Sequence, residues 1–172
     1  MIRSVQPTDA AAICAIYNHY VLHTTISFEE EAVSPEAMAQ RIAGATLPWL
    51  VWEEQGVLLG YAYASPWRVR AAYRHAVESS VYLAPGATGR KLGLQLYQHL
   101  LDALRRRDLH CVIGGIAQPN PASEALHRRL GFRKVARFEQ VGWKQGRWID
   151  VDYWQVMLTP DESVAATIED RQ

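Results

Sequence analysis

Residues 77 to 104 read VESSVYLAPGATGRKLGLQLYQHLLDAL, and the change of period inside this stretch decides the fold. Val77 to Leu83 reads as a short strand whose end is marked by Pro85 and Gly86. Leu92, Leu96, Leu100 and Leu104 then recur with a spacing of four, which puts a continuous apolar stripe along one side of a helix. The loop between them carries Gly86 and Gly89, with Gly93 just beyond. A glycine loop entering a helix offers unpaired N–H groups and a positive dipole end, which together make a phosphate site, and Arg90 and Lys91 add countercharge. The same loop is equally readable as an ordinary turn, because it lacks both the Gly-Lys-Ser/Thr ending of a P-loop and the full dinucleotide fingerprint. Arg105, Arg106 and Arg107 close the helix as cations at its C-terminus.

Working outward toward the N-terminus, Ile2 to Val5 suits an edge strand. Thr8 or Asp9 then caps a first helix that ends near Tyr20. A loop with one exposed-looking aromatic, Phe28, leads to Ser34 and Pro35, which suit the N-cap and first turn of a second helix stopped by Gly44. Residues 49 to 67 form two apolar runs separated by Glu53 to Gly56, an antiparallel hairpin ended by Pro66. Toward the C-terminus, Cys111 to Ala117 is a buried strand and Asn120 opens a capped helix ending at Gly131. Residues 132–142 and 151–158 are two further strands, with GWKQGRWID (142–150) as a tight glycine-containing excursion between them. The order β, α, α, β, β, β, α, β, α, β, β implies a mixed sheet with helices on its faces, of the α/β or α+β class.

The chain has 172 residues, 49% apolar and 21% charged, with 18 basic against 18 acidic side chains. Residues 1–158 are read as one domain and 159–172 as a polar, frayed tail. A chain of this length buries roughly 70% of its unfolded surface, so its core needs no disulfide or structural metal. Zero net charge argues against nucleic acid or an anionic membrane as the main partner. Cys14 and Cys111 lie in apolar runs and read as core residues. No signal core and no apolar stretch of about 20 residues is visible, so the expected location is the cytoplasm. His19 and His23 have the spacing of a metal pair on a helix, but no third ligand stands at a useful distance, and no metal is expected.

These elements resemble the GNAT superfamily of acyl-CoA-dependent N-acetyltransferases. The resemblance lies in a strand, a pyrophosphate loop and a helix, followed by a second strand and an Asn-initiated helix ending in Gly131-Phe132. The loop is Thr88-Gly89-Arg90-Lys91-Leu92-Gly93, which departs from the Arg/Gln-x-x-Gly-x-Gly/Ala pattern at Thr88 and Lys91. SFEEE, SPWRVRAAYRHAVESSVYL, NPASEALHRRLGF and VGWKQGRWIDVDYWQ resemble, more narrowly, the phosphinothricin and methionine sulfoximine acetyltransferases, small dimeric enzymes that acetylate α-amino groups. That resemblance implies a mostly antiparallel central sheet, splayed at the acetyl-CoA site and flanked by about four helices. It also implies acetyl-CoA as cosubstrate, a small amino acid as acceptor and a homodimer.

The chemistry follows residue by residue. A protonated α-amine must lose a proton before it can attack a thioester, and Glu78, on the strand before the loop, matches the family base. Val77 and Val81 would desolvate it and raise its pKa. The alternative for Glu78 is an ion pair with Arg74 or His75. The resemblance assigns cofactor contacts to Val81, Tyr82 and Leu83 on the strand, with the Leu83 N–H facing the oxyanion. Further contacts fall on Thr88, Gly89, Arg90, Lys91, Leu92, Gly93 and Leu94 at the loop and helix start, and on Asn120 and Ser123. Asn120 also reads independently as an N-cap followed by Pro121. His127 stands where many members carry a Tyr acid; it is either that acid or a cofactor contact. A substrate carboxylate calls for an Arg fork, Arg74 first and Arg68 second, beside Tyr73, with Phe28 and Trp148 closing the pocket. Two other readings remain: acetylation of another amine, such as a polyamine, aminoglycoside or protein, whose site should be acidic, and a non-catalytic acyl-CoA sensor.

Overall fold

The computed structural model describes residues 1–158; the polar tail expected at 159–172 lies outside the described residues. Among the described residues seven strands form a single sheet in the order β1-β2-β3-β4-β5-β7-β6. They are β1 (Ile2–Ser4), β2 (Trp49–Glu54), β3 (Val57–Pro66), β4 (Ala76–Leu83), β5 (Cys111–Ala117), β6 (Arg133–Lys144) and β7 (Arg147–Met157). The helices are α1 (Ala10–His23), α2 (Pro35–Ala43), α3 (Leu92–Arg105) and α4 (Pro121–Arg129). Every pairing is antiparallel except β4 with β5, which the α3 crossover makes parallel. Among the described residues no helix is long and apolar enough to cross a membrane.

Alternation along the strands divides the interior into two cores. Ala62, Ala64, Val77, Val112 and Trp154 meet the leucine stripe of α3 on one face. On the other, Trp49, Val51 and Tyr61 pack against Ile13, Tyr17 and Val21 of α1 and Met38 and Ile42 of α2. Both cysteines are buried and free. The starts of α2 and α4 follow their sequence signals: Ser34 Oγ accepts from the Ala37 N–H at 3.1 Å and Asn120 Oδ1 from the Ser123 N–H at 3.1 Å. At α1 neither Thr8 nor Asp9 caps the helix as expected: both lie in a 3-10 turn, and Asp9 Oδ2 accepts instead from the Gln6 N–H at 2.7 Å.

Two boundaries differ from the sequence reading. Helix α1 continues past Tyr20 to His23, and the Thr24 hydroxyl then closes it on the Tyr20 carbonyl. The segment 142–150 is no excursion: β6 and β7 run on through it, with Trp143 opposite Trp148 and Lys144 opposite Arg147. Only Gln145 and Gly146 turn, at φ of 51° and 74°. A two-residue loop with both φ positive matches the twist of a hairpin. Gln-Gly gives that signal more weakly than Asn-Gly.

Candidate active site

The parallel ladder between β4 and β5 holds only Ala76↔Cys111, Val77↔Val112 and Glu78↔Ile113. Beyond Glu78 the two strands part, while β4 stays paired to β3 as far as Leu83 and β5 to β7 as far as Ala117. The N–H bonds Trp67 to Ala76 O and Ala84 to Leu59 O fix the phase of the β3–β4 ladder. Even-numbered β4 residues therefore bond β3, and the N–H groups of Val81 and Leu83 face the open wedge. The Leu83 carbonyl accepts a hydrogen bond from the Tyr20 hydroxyl at 2.7 Å.

Glu78 stands at the point of divergence. It is half-buried, and burial raises its pKa above the ordinary carboxylate value, with the positive charge of Arg68 opposing the shift. Among the described residues it has no ion pair, because its two candidate partners are engaged elsewhere. His75 Nδ1 bonds the Asp108 carbonyl at 2.8 Å, and the Arg74 guanidinium bonds the Ala71 carbonyl at 3.3 Å. Gly115 keeps the space beside the carboxyl open: a Cβ there would lie 3.5 Å from Glu78 Oε1 and 3.3 Å from the Tyr153 ring.

Two cavities meet this carboxylate region. One, of about 460 Å³, is walled by Glu78, Ser80, Tyr82, Tyr17, Phe28, Glu29 and Tyr153. The other, about 60 Å³, occupies the wedge and is lined by Ser79, Val81, Tyr97, Asn120, Ser123 and His127. Beneath the wedge the polar groups form a directed chain. A carbonyl can only accept, so His127 Nδ1 donates to Ser123 O at 2.8 Å. Burial lowers the His127 pKa and keeps the ring neutral, so Nε2 accepts from the Tyr97 hydroxyl at 3.2 Å. Ser79 Oγ in turn donates to Tyr97 Oη at 2.7 Å.

The glycine loop lies at the same end of the sheet. Thr88, Gly89, Arg90 and Lys91 are exposed, Leu92 and Gly93 are buried and Leu94 is half-buried at the first turn of α3. Among the described residues no side chain caps that helix, which leaves its first amides available to an anion. Lys91 holds a left-handed φ of 62°. The departure from glycine at this position thus falls where glycine would be relaxed and a side chain costs about 1 kcal/mol. Arg90 is drawn to Glu54 at 2.8 Å and shares its charge with that carboxylate.

Of the residues expected to hold the acceptor, only Phe28 lies in the cavity wall. Arg68 stacks on Trp67, 4.6 Å from the ring centroid. Tyr73 and Arg74 lie on an exposed turn after β3, and Trp148 is 59% exposed on the hairpin against Trp143. Tyr17, Ser80, Tyr97, Ser79 and Tyr153 escaped the sequence reading. Ser80 and Tyr82 share the phase of Glu78, and Tyr97 places a hydroxyl inside a leucine stripe; both signals were present. Tyr17 and Tyr153 reach the site only through the tertiary fold. Among the described residues no cluster of three or more metal-ligating side chains occurs.

Comparison with known proteins agrees with this architecture. The family model described as an acetyltransferase (GNAT) domain matches residues 2–152. A phosphinothricin N-acetyltransferase of Streptomyces coelicolor is 42% identical over 161 residues, covering 86% of this chain and 90% of the relative. The L-methionine sulfoximine/L-methionine sulfone acetyltransferase of Salmonella typhimurium is 41% identical, over 95% of this chain and 96% of its own. A Salmonella typhimurium structure solved with its cofactor acetyl-CoA superposes with a TM-score of 0.91 at 39% identity, covering 94% of this chain and 95% of that one.

Proposed function

This chain belongs to the GNAT acetyltransferase family, and from that premise we propose that it transfers an acetyl group from acetyl-CoA to the α-amine of a small amino acid of the methionine sulfoximine, methionine sulfone or phosphinothricin kind. The observation that carries this reading is an unpaired, half-buried carboxylate, Glu78, where β4 and β5 part. The wedge suits the pantetheine arm, which would pair with the backbone of Val81, Tyr82 and Leu83 as an added strand does. The amides of Gly89 to Leu94, with Thr88 and Lys91 at the rim, suit the pyrophosphate. Asn120 and Ser123 would flank the arm.

In this mechanism Glu78 takes one proton from the acceptor ammonium and passes it to solvent. The free amine attacks the thioester carbonyl, forming the C–N bond, while the Leu83 N–H meets the developing oxyanion. The C–S bond then breaks, and the second amine proton ends on the departing sulfur. Neutral His127 presents its Nε2 lone pair to Tyr97, so it orients the Tyr97 and Ser79 hydroxyls that line the wedge; it is a positioning group here. Arg68, whose charge already acts on Glu78, is the better placed of the two arginines for an acceptor carboxylate.

A second reading, a more cationic acceptor, draws support from one feature: both Glu29 and Glu78 line the larger cavity, and neither arginine does. A homodimer belongs to the leading reading and is supported by the exposed Phe138, Trp143 and Trp148 of the β6–β7 hairpin; a cytoplasmic location belongs to it as well. The test is thiol release from acetyl-CoA with methionine sulfoximine, methionine sulfone, phosphinothricin, ordinary amino acids, spermidine and an aminoglycoside. Release with the first group, and a drop of about 100-fold or more in Glu78→Gln with acetyl-CoA binding kept, is the expected result. Release with the cations alone replaces the acceptor class. Acetyl-CoA binding without release for any amine replaces the enzyme with an acyl-CoA sensor.

A further inference from the structure

Lys144 is a charged side chain in an unusual place. It closes β6 at the tip of the hairpin, yet the residue is only 4% exposed, and no carboxylate among the described residues lies within ion-pair distance of its ammonium. Nζ instead donates to two carbonyl oxygens, Val21 at 2.7 Å and Ser27 at 2.6 Å. The Val21 carbonyl belongs to the last turn of α1, where backbone acceptors lack helical partners and the dipole favours a cation. The Ser27 carbonyl belongs to the loop that carries Phe28 and Glu29. One ammonium therefore joins the end of α1, the hairpin tip and the loop that walls the larger cavity.

The hairpin touches the same loop a second time, two residues earlier. Gly142 faces Phe28 so closely that a Cβ there would lie 2.5 Å from Phe28 Cε2 and Cζ. From within the cavity, Tyr17 completes the fixation. Its hydroxyl meets Ser27 Oγ at 2.8 Å and Glu29 Oε1 at 2.9 Å, while Arg41 holds Glu29 at 2.7 Å from outside. Buried charge without a carboxylate partner is a costly way to tie a hairpin to a helix. Its geometric result is that the Phe28 ring and the Glu29 carboxylate are both fixed relative to Glu78.

We infer that Lys144 is a positioning residue for acceptor selection: by latching the Ser27 carbonyl it sets where Phe28 and Glu29 stand in the acceptor cavity, with Gly142 as the rest against which the Phe28 ring lies. This rests on the reading of that cavity as the acceptor site. Lys144 lines neither the wedge nor the larger cavity, so its removal acts on acceptor KM and on discrimination between acceptor side chains, while cofactor binding stays intact.

The test uses Lys144→Met, which keeps the aliphatic stem and removes the donors, together with Gly142→Ala, Phe28→Ala and the Gly142→Ala/Phe28→Ala pair. Methionine sulfoximine, methionine sulfone and alanine serve as acceptors. Lys144→Met should raise methionine sulfoximine KM about 10-fold or more and compress its preference over alanine, with acetyl-CoA Kd within about twofold of wild type, since misplacing a binding group by about 1 Å is enough for such losses. Gly142→Ala should shift acceptor KM in the parent and have no effect once Phe28 is Ala, because the clash partner is then gone. Should Lys144→Met not fold, that pair of measurements decides alone. Unchanged acceptor KM in Lys144→Met, a parallel loss of acetyl-CoA affinity, or a Gly142→Ala effect that survives Phe28→Ala overturns the latch. If Phe28→Ala shifts acceptor KM while Lys144→Met and Gly142→Ala do not, the latch falls and the cavity assignment stands. If Phe28→Ala also leaves acceptor KM untouched, both fall.

Discussion

Replacing Gly114 with Ala probes the polar chain beneath the wedge directly. A Cβ at position 114 would lie 2.5 Å from His127 Nε2 and 3.1 Å from its Cδ2, so ordinary contact requires the ring to retreat by about 0.9 Å. The ring has little room to do so. Its Nδ1 is bonded to Ser123 O at 2.8 Å, and its faces and edges meet Phe132 and Trp154 at centroid distances of 4.9 and 6.3 Å. Overpacking of this kind costs about 1–3 kcal/mol, and lengthening the Tyr97–His127 hydrogen bond adds about 1 kcal/mol. Removing a glycine from a strand returns about 0.5–1 kcal/mol. The net loss of about 1–3 kcal/mol corresponds to a fall in Tm of about 3–10 °C for a chain of this size. Thermal unfolding followed by circular dichroism measures it, and acetyl-CoA titration should show weakened binding because the same ring borders the wedge. The double variant Gly114→Ala/His127→Ala should be no less stable than His127→Ala alone, since the clash needs the ring. A Gly114→Ala protein that melts within about 1 °C of wild type, with acetyl-CoA affinity unchanged, refutes the packing described for His127.

Three further outcomes are expected. Glu78 must be unprotonated to accept a proton and its pKa is raised, so kcat/KM should fall on the acid side at a pH above the ordinary carboxylate range; Arg68→Gln removes an opposing charge and should move that limb higher still. A limb that moves down, or does not move, removes Arg68 from the electrostatics of the site. Asp152 is fully buried and bonded to Arg137 at 2.6 Å and Lys134 at 2.6 Å, which hold its pKa down. The contribution of this group is present above its unfolded pKa and disappears as pH falls through the lower folded one. Asp152→Asn should therefore be about 2 kcal/mol less stable at neutral pH, by denaturant unfolding, and the gap to wild type should close below about pH 4. Asn120→Ala removes the cap of α4 and should lower stability by about 1 kcal/mol in the same assay; acetyl-CoA affinity that drops with it supports a contact to the pantetheine arm, and affinity that holds confines Asn120 to its capping role.

Much of this protein could be read locally. The leucine spacing of α3, the Ser34 and Asn120 caps and the short runs of β2 to β5 with the turn residues that bound them are properties of neighbouring residues, so periodicity, turn and cap chemistry located those elements to within a few residues. The glycine loop before α3 and the placement of Glu78 upstream of it were legible for the same reason, and the family resemblance rests on that unit. What remained hidden was set by partners far apart in the chain. The β4–β5 ladder stops at Glu78↔Ile113, across a separation that includes all of α3, and no local pattern states where two parallel strands will part. The isolation of Glu78 depends on His75 choosing Asp108 and Arg74 choosing Ala71, and the cavity depends on Tyr17 and Tyr153 arriving from opposite ends of the chain. Nothing local to Lys144, in the glycine-containing segment 142–150, marks it as buried; its contacts with the carbonyls of Val21 and Ser27 make it a fixed point of the site. Sequence determined the elements and the chemistry available, because short-range sterics and hydrogen bonding govern both. The tertiary structure decided which carboxylate is left unpaired and which loop is held over it, because those depend on long-range packing and on the desolvation it imposes.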